Sequence, residues 1–228
     1  MRKIIFIIFL AIGTNSFGQA IPKTAKSPTE LIPIGYAVHK EIRGDLNKDN
    51  QEDYVFIIKG TDKGKFVNDE QRGQLDRNRR GIIIVFKNQD QYELSLENRD
   101  CFSSENEDGG VYFAPELDVS INKGNIHVHY AHGRYGFWIY NFRYQNSDFE
   151  LIGYDSSQNR GPVVERSISI NFLTKKMRIS ENINQDAEGG DEKFKETWKK
   201  FTLSKPIKLR EIADFDSFDP QSLLGPAR

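Results

Sequence analysis

The chain of 228 residues contains a single cysteine, Cys101, and so cannot form an intramolecular disulfide bond. Its 32 basic and 33 acidic residues are interspersed and give a formal charge of −1, without the basic stripe typical of nucleic-acid-binding and membrane-surface proteins. Beyond residue 20, no apolar run approaches the ~20 residues of a membrane-spanning helix. We expect a core that is stable without disulfides, a buried Cys101, no nucleic-acid partner and no membrane span.

The longest apolar run lies at the start of the chain, in MRKIIFIIFLAIGTNSFGQA (residues 1–20). A basic start, an apolar run over residues 4–12, and small residues at Ser16 and Gly18 follow the order of a secretory signal peptide. The run is about half as long as a membrane-spanning helix, and no cysteine follows it that would carry a lipid anchor. We predict that residues 1–18 are a signal peptide and that the mature protein is periplasmic or extracellular.

Alternation of apolar and polar residues dominates the rest of the chain, with many β-branched and aromatic side chains, as in antiparallel strands. Compact apolar runs occur at residues 53–58 and 81–86, and residues 119–130 form two alternating arms around Lys-Gly-Asn, a hairpin signal. We predict an extended linker at residues 19–30. A single antiparallel all-β domain should then cover residues 31–228, as a sandwich or partly closed barrel of about nine or ten strands with little helix.

Two segments are harder to assign. Residues 59–80 are rich in charge, and we interpret them as a long surface loop. In the segment Phe194 to Leu203, the spacing of Phe194, Trp198 and Phe201 fits a helical stripe. The alternating lysines and the all-β context favour a strand there instead.

The sharpest motif is GDLNKDNQEDYVFII (residues 44–58), in which oxygen-bearing side chains alternate along the chain. Calcium takes six to eight oxygen ligands, and loops supply them from alternate positions together with a backbone carbonyl. The ligands predicted here are Asp45, Asn47, Asp49, the carbonyl of Gln51, and Asp53. A polar turn is the alternative, since Asp and Asn are common in turns. Against it, carboxylates within ~5 Å repel by roughly 3 kcal/mol per pair at a dielectric near 20, and a cation relieves that repulsion.

The same stretch, from Gly44 to Ile58, resembles the calcium loop of FG-GAP or VCBS-type repeats. In that family the loop joins two strands and holds calcium, so the resemblance implies ligands at the matching positions, Asp45, Asn47, Asp49 and Asp53. Those repeats normally come in series, whereas this chain has one motif. The resemblance therefore does not imply a propeller.

Three of the four histidines lie close together, and two of them, His127 and His129, are two residues apart in a predicted strand. Side chains at such positions point to the same face, an arrangement found among zinc ligands. Since Ile126 and Val128 form the apolar face, this pair should face away from the core. Two such histidines without a third ligand nearby are also typical of a solvated strand face, which is the alternative. If the pair does bind a metal, the other histidine that could complete the site is His39.

An aromatic run at residues 135–144 places Trp138, Tyr140, Phe142 and Tyr144 on one face of a strand. Such a ladder can stack against sugar rings, but it is also the usual appearance of the core side of a central strand. Aromatic and apolar residues on the opposite face favour the core interpretation.

We found no serine nucleophile elbow, no phosphate-binding loop and no paired-cysteine motif in the sequence. The favoured hypothesis is therefore a secreted, non-catalytic β module with one structural calcium loop that binds a protein or glycan partner. The alternative is a secreted hydrolase, either metal-dependent through His127 and His129 or glycan-directed through two facing carboxylates. The scattered carboxylates are Glu116, Asp118, Glu150 and Glu165.

Overall fold

Strands form nearly all the regular structure of the computed structural model, which describes residues 22–107 and 116–227. The strands are β1 (Thr24–Ala25), β2 (Tyr36–Gly44), β3 (Asp53–Gly60), β4 (Phe66–Asp69), β5 (Gly73–Asp76), β6 (Arg80–Asn88), β7 (Gln91–Phe102), β8 (Glu116–Asn122), β9 (Asn125–Ala131), β10 (Gly136–Gln145), β11 (Asp148–Arg160), β12 (Val163–Asn171), β13 (Lys176–Asn182), β14 (Phe194–Thr202) and β15 (Gly225–Pro226). Helical structure in the described ranges is limited to short 3-10 helices at Pro28–Leu31, Lys63–Lys65, Gly133–Tyr135, Leu209–Glu211 and Pro220–Leu223. The predicted all-β class is confirmed, with more strands than the nine or ten expected.

The strands form antiparallel sheets. A five-stranded sheet has the order β1-β7-β6-β3-β2, and an eight-stranded sheet is a meander that runs from β8 to β15. A small third sheet pairs β4 with β5. One hydrophobic cluster contains side chains from both large sheets, so the two sheets pack as a sandwich around a shared core.

The compact apolar runs at β3 and β6 are explained by burial on both faces of the five-stranded sheet. Val55 and Ile57 of β3 belong to the core shared with the eight-stranded sheet. Phe56 and Ile58, which point the other way, belong to a second cluster that contains Leu31. A strand that is covered on both sides has no polar face, so the usual alternation disappears.

The second cluster is covered by the N-terminal segment. Residues 19–30 were predicted to form an extended linker. Their described part, from residue 22 onward, instead forms β1 and the start of a 3-10 helix. The amide of Leu94 in β7 donates to the carbonyl of Lys23 at 2.9 Å, which fixes this segment against the sheet. The predicted signal peptide, residues 1–18, lies outside the described residues.

Two segments that were difficult to assign are strands. Residues 59–80 are not a long loop, because they contain the β4–β5 hairpin, where Leu75 is buried. The segment that begins at Phe194 is β14, so the strand interpretation is confirmed. Trp198 is 64% exposed on β14, since it points away from the core that Phe201 enters.

An ion pair links the start of β11 to the C-terminal segment. The Asp148 carboxylate is buried and accepts from Arg210 Nε with both oxygens, at 2.8 and 2.9 Å. Arg210 Nη2 also donates to the carbonyl of Ser95 in β7, so the guanidinium connects the two large sheets. Burial alone would raise the pKa of Asp148, but the hydrogen bond and charge of Arg210, with smaller contributions from Phe149 and Lys208, hold it below its ordinary value.

This pair predicts a pH-dependent contribution to stability. Breaking a buried ion pair costs ~3–5 kcal/mol. Because the side chain of Arg210 is 41% exposed, we expect Asp148→Asn to cost about 1–3 kcal/mol at neutral pH. Because the folded-state pKa of Asp148 is lowered, the ion pair stabilises the fold fully at pH values above the ordinary pKa of about 3.9. This stabilisation is lost as the pH falls through the folded-state pKa. Urea unfolding should therefore show the gap between wild type and variant closing below about pH 4. A gap that stays constant would contradict this assignment.

Candidate functional site

The predicted calcium loop is the connection between β2 and β3, and its conformation is set by side chains that accept from its own backbone. Asp45 Oδ1 accepts from the amide of Lys48 at 2.7 Å and from that of Asp49 at 3.2 Å, and Oδ2 accepts from Asn50 at 3.1 Å. Lys48 and Asn50 adopt left-handed φ values of 66° and 64°. Asparagine tolerates this region well, so Asn50 replaces the usual glycine as expected.

The next two predicted ligands continue the same pattern. Asn47 Oδ1 accepts from the amide of Asp49 at 3.0 Å, and Asp49 Oδ1 accepts from the amide of Gln51 at 2.8 Å. The other oxygen of Asp49 faces donors, Asn47 Nδ2 at 3.1 Å and Gln51 Nε2 at 3.2 Å. Asp45, Asn47 and Asp49 therefore each stabilise the turn by accepting hydrogen bonds from its backbone amides.

Gln51 and Asp53 tie the loop to the end of β6 and to the turn that follows it. Gln51 Oε1 accepts from the amide of Gln89 at 3.0 Å. Asp53 is fully buried and accepts from the amide of Leu46 at 2.8 Å and from that of Lys87 at 3.1 Å. Burial raises the pKa of Asp53 above its ordinary value, and these amides oppose that effect. Sequence reasoning placed Asp53 in the loop but did not reveal this burial.

The loop also joins the two sheets of the sandwich. Leu46 is buried in the shared core. A Cβ at Gly44 would lie 3.0 Å from Ile121 Cγ2 in β8, and one at Gly124 would lie 3.1 Å from the carbonyl oxygen of Asp45. The loop is thus packed against the β8–β9 hairpin and supported by both sheets.

The donor set of the loop suits a hard cation, although its arrangement is not that of an assembled metal centre. The ion pairs found among the described residues do not involve Asp45, Asp49 or Asp53, so three negative charges have only amide partners. Oxygen donors of this kind are those that calcium prefers. Within residues 22–107 and 116–227, no group of three or more His, Cys, Asp or Glu side chains is placed to hold a metal ion. The side-chain nitrogen of Asn47, and not its oxygen, lies against the Asp49 carboxylate, with Nδ2 3.1 Å from Asp49 Oδ2.

The histidine pair lies where the alternation predicts. His127 and His129 are on the face of β9 opposite Ile126 and Val128, which are buried in the core. Burial lowers the pKa of His127, so its imidazole is neutral at physiological pH. The histidine proposed to complete a site, His39, is on β2 in the other sheet.

His39 instead borders an ion-pair network that sequence reasoning missed. Its Nε2 lies 3.8 Å from Glu105 Oε2. Glu105 also pairs with Lys59 at 2.7 Å, and Lys59 contacts Asp76 at 2.9 Å. The buried guanidinium of Arg80 lies 3.7 Å from Glu105. These residues come from separate strands and loops of the chain, so no local sequence pattern predicts the network.

Three of the four scattered carboxylates have separate structural partners. Asp118 pairs with Lys40 at 2.6 Å, and Glu165 with Arg160 at 2.8 Å. Glu150 is buried and accepts from two side-chain amides, Gln145 Nε2 at the end of β10 at 2.6 Å and Asn146 Nδ2 in the following turn at 3.2 Å.

The aromatic run is mainly core, as the sequence favoured. Tyr140 and Phe142 are buried between the sheets. Trp138 and Tyr144 are only partly buried and pack at the edge of the same cluster. Cys101 is fully buried, and burial raises the pKa of its thiol, so it is an inert core residue as predicted.

No helix in the described ranges is long and apolar enough to cross a membrane. Comparison with known proteins gave no match to a family model, to a curated protein or to a solved structure.

Proposed function

We propose that this protein is an exported, non-catalytic β-sandwich module that binds a protein or glycan partner and is stabilised by one calcium ion in the loop between β2 and β3. The observation that carries the proposal is the concentration of Asp45, Asp49 and Asp53 in one loop without a basic partner among the described residues. The proposed export rests on the sequence of residues 1–18.

The ion would be held by the side-chain oxygens of Asp45, Asn47, Asp49 and Asp53 and by the carbonyl of Gln51. Calcium supplies positive charge that offsets the mutual repulsion of the carboxylates. Since the loop contacts both sheets, stabilising it would stabilise the whole sandwich, which has no disulfide.

Calcium is therefore expected to raise the melting temperature. Extracellular calcium modules have dissociation constants of about 0.1–1 mM. With a constant of about 0.1 mM, about 1 mM calcium adds roughly 1.4 kcal/mol of stability. For a chain of this size that corresponds to about 3–6 °C. Asp49→Ala should remove most of this calcium-dependent shift and have a much smaller effect in chelator, measured by differential scanning calorimetry.

Glu52→Ala is the matched control, since Glu52 is an exposed carboxylate next to the loop that pairs with Arg43 rather than with the loop backbone. This variant should keep the full calcium shift. If the wild type melts at the same temperature in millimolar calcium and in chelator, the loop is a polar turn and the calcium proposal fails.

A further inference from the structure

Strand β14 forms an open edge of the eight-stranded sheet over most of its length. Its neighbour on one side is β13, which pairs along the whole strand. On the other side β15 covers only the last two residues of β14, and from Phe194 to Lys199 no strand lies alongside in the described part of the chain. The opposite edge, β8, is partly closed, because Lys40 of β2 donates to the carbonyl of Val119 at 3.2 Å.

The backbone groups of the open edge alternate in direction. In an antiparallel pair, residues that exchange hydrogen bonds alternate with residues whose N–H and C=O groups point away from the neighbouring strand. The amide of Phe201 donates to the carbonyl of Lys175 at 3.1 Å, so the odd-numbered residues of β14 bond to β13. The N–H and C=O groups of Phe194, Glu196 and Trp198 therefore point out of the sheet. Such a row of donors and acceptors is a template for a further strand.

The side chains along this edge are exposed on both faces of the sheet. Phe194 and Trp198 lie on one face and are 44% and 64% exposed. Lys195 and Lys199 lie on the other face, and they are exposed as well. An exposed edge strand that carries large aromatic side chains is a site at which another strand can pair.

Charge indicates the kind of strand that fits. Residues 193–200 contain four lysines and one glutamate, a net charge of +3 in a chain whose formal charge is −1. Glu196 already pairs with Arg178 at 3.3 Å, whereas the ion pairs among the described residues do not involve Lys195 or Lys199. A strand with acidic side chains on the lysine face would form favourable cross-strand pairs. A second copy of this chain would bring one lysine-rich edge against another, which is unfavourable.

The backbone pattern favours a peptide over an acidic polysaccharide. A polysaccharide can neutralise lysines, but it does not present N–H and C=O groups at the two-residue spacing of a strand. A peptide strand presents both groups, and its side chains alternate between the two faces. Acidic residues would then lie opposite Lys195 and Lys199, and apolar residues opposite Phe194 and Trp198. The edge therefore suits an extended segment in which acidic and apolar residues alternate.

We propose that the open edge of β14 binds an extended acidic segment of a partner protein, which adds an antiparallel strand to the eight-stranded sheet. Main-chain hydrogen bonds to Phe194, Glu196 and Trp198 hold the segment, and Lys195 and Lys199 select its charge. This assignment rests on the proposed function as a binding module and selects protein over glycan as the partner.

A short fluorescein-labelled peptide that alternates glutamate and valine is the probe. Fluorescence anisotropy should show saturable binding with a Kd below about 1 mM. In an antiparallel pair, the valines that share the face of Trp198 direct their N–H groups toward β14, and the glutamates direct theirs away. Methylation of the valine nitrogens should therefore abolish binding, whereas methylation of the glutamate nitrogens should not. This comparison tests the hydrogen bonds without altering the protein.

Variants of the protein test the same contacts from the other side. Glu196→Pro removes an outward N–H group but no hydrogen bond to β13, and proline is tolerated at such edge positions. It should weaken binding by more than about tenfold. Glu196→Ala, which loses the same carboxylate but keeps the N–H, is the matched control and should bind like the wild type. Joint replacement Lys195→Glu and Lys199→Glu should reverse the preference, so that a lysine–valine peptide binds more tightly than the glutamate–valine peptide.

The inference is overturned if the glutamate–valine peptide does not bind at about 1 mM. It is also overturned if affinity is unchanged by valine methylation, by Glu196→Pro or by the charge reversal. Light scattering that detects a dimer dissociated by Glu196→Pro would assign the edge to a second copy instead. Heparin that binds more tightly than the peptide, with equal affinity for Glu196→Pro, would assign the lysines to a polysaccharide.

The calcium-dependent melting shift, measured on the same preparation, separates this proposal from the calcium loop. A shift without peptide binding rejects only the β14 edge. Peptide binding without a shift rejects only the calcium loop.

Discussion

Gly136→Ala is expected to lower the free energy of unfolding by more than about 4 kcal/mol. Most single substitutions cost about 0.5–3 kcal/mol, so this loss would be exceptionally large. Gly136 begins β10 with φ of +112°, which side-chain-bearing residues rarely adopt. A Cβ there would lie 1.8 Å from the carbonyl oxygen of Ser157 and 2.7 Å from its carbonyl carbon. Both atoms belong to the backbone of the neighbouring strand, so relief requires the two strands to separate. Soluble yield and urea unfolding measure the effect.

Gly133→Ala is the matched control for this prediction. Gly133 lies three residues earlier and also has a positive φ, +54°, but a Cβ there would meet no atom within 4 Å. Its cost should be only the backbone term of about 1–2 kcal/mol. Equal losses in the two variants would mean that backbone conformation alone, and not the contact with Ser157, makes glycine necessary at residue 136.

The fold class was predictable because its signals are local. Alternating arms around short turns indicate antiparallel hairpins, and the turn residues Lys123 and Gly124 have the positive φ values that such turns require. The compact runs of β3 and β6 indicated strands for the same reason, although their burial on both faces depends on the N-terminal segment.

The strands that sequence reasoning missed are those whose pairing arises from tertiary structure. The β4–β5 hairpin is polar because it lies at the surface, where Leu75 is its one buried apolar side chain. β1 and β15 have two residues each, which is too short to show alternation. They are strands only because they lie beside β7 and β14.

The same distinction applies to the candidate loop and to the ion-pair network around Glu105. The loop between β2 and β3 is contiguous, so its side-chain spacing and the left-handed Asn50 could be predicted from the sequence. The network brings together His39, Lys59 and Glu105 from separate parts of the chain, and no spacing rule connects them.

Asp53→Ala is expected to lower the free energy of unfolding by about 2–4 kcal/mol, because two buried amides lose an ionised acceptor at once. Those amides belong to Leu46, which is buried in the core, and to Lys87 near the end of β6, so both hydrogen bonds anchor the loop. The net loss is smaller than the sum of two charged hydrogen bonds, since burial of this carboxylate is itself unfavourable, as its raised pKa indicates. Urea unfolding in chelator isolates this structural contribution from any effect of calcium.

Asp53 and Asp49 should therefore behave differently. Asp49 is exposed, so Asp49→Ala should matter mainly when calcium is present, whereas Asp53→Ala should be destabilising with or without the ion. Asp53→Asn keeps one acceptor oxygen but turns an NH2 group toward a backbone N–H, so its loss in chelator should also exceed about 1 kcal/mol. If both Asp53 variants lose less than that in chelator yet abolish the calcium-dependent shift, the Asp53 carboxylate serves the ion and not the amides. The buried hydrogen bonds would then contribute little to the stability of the loop.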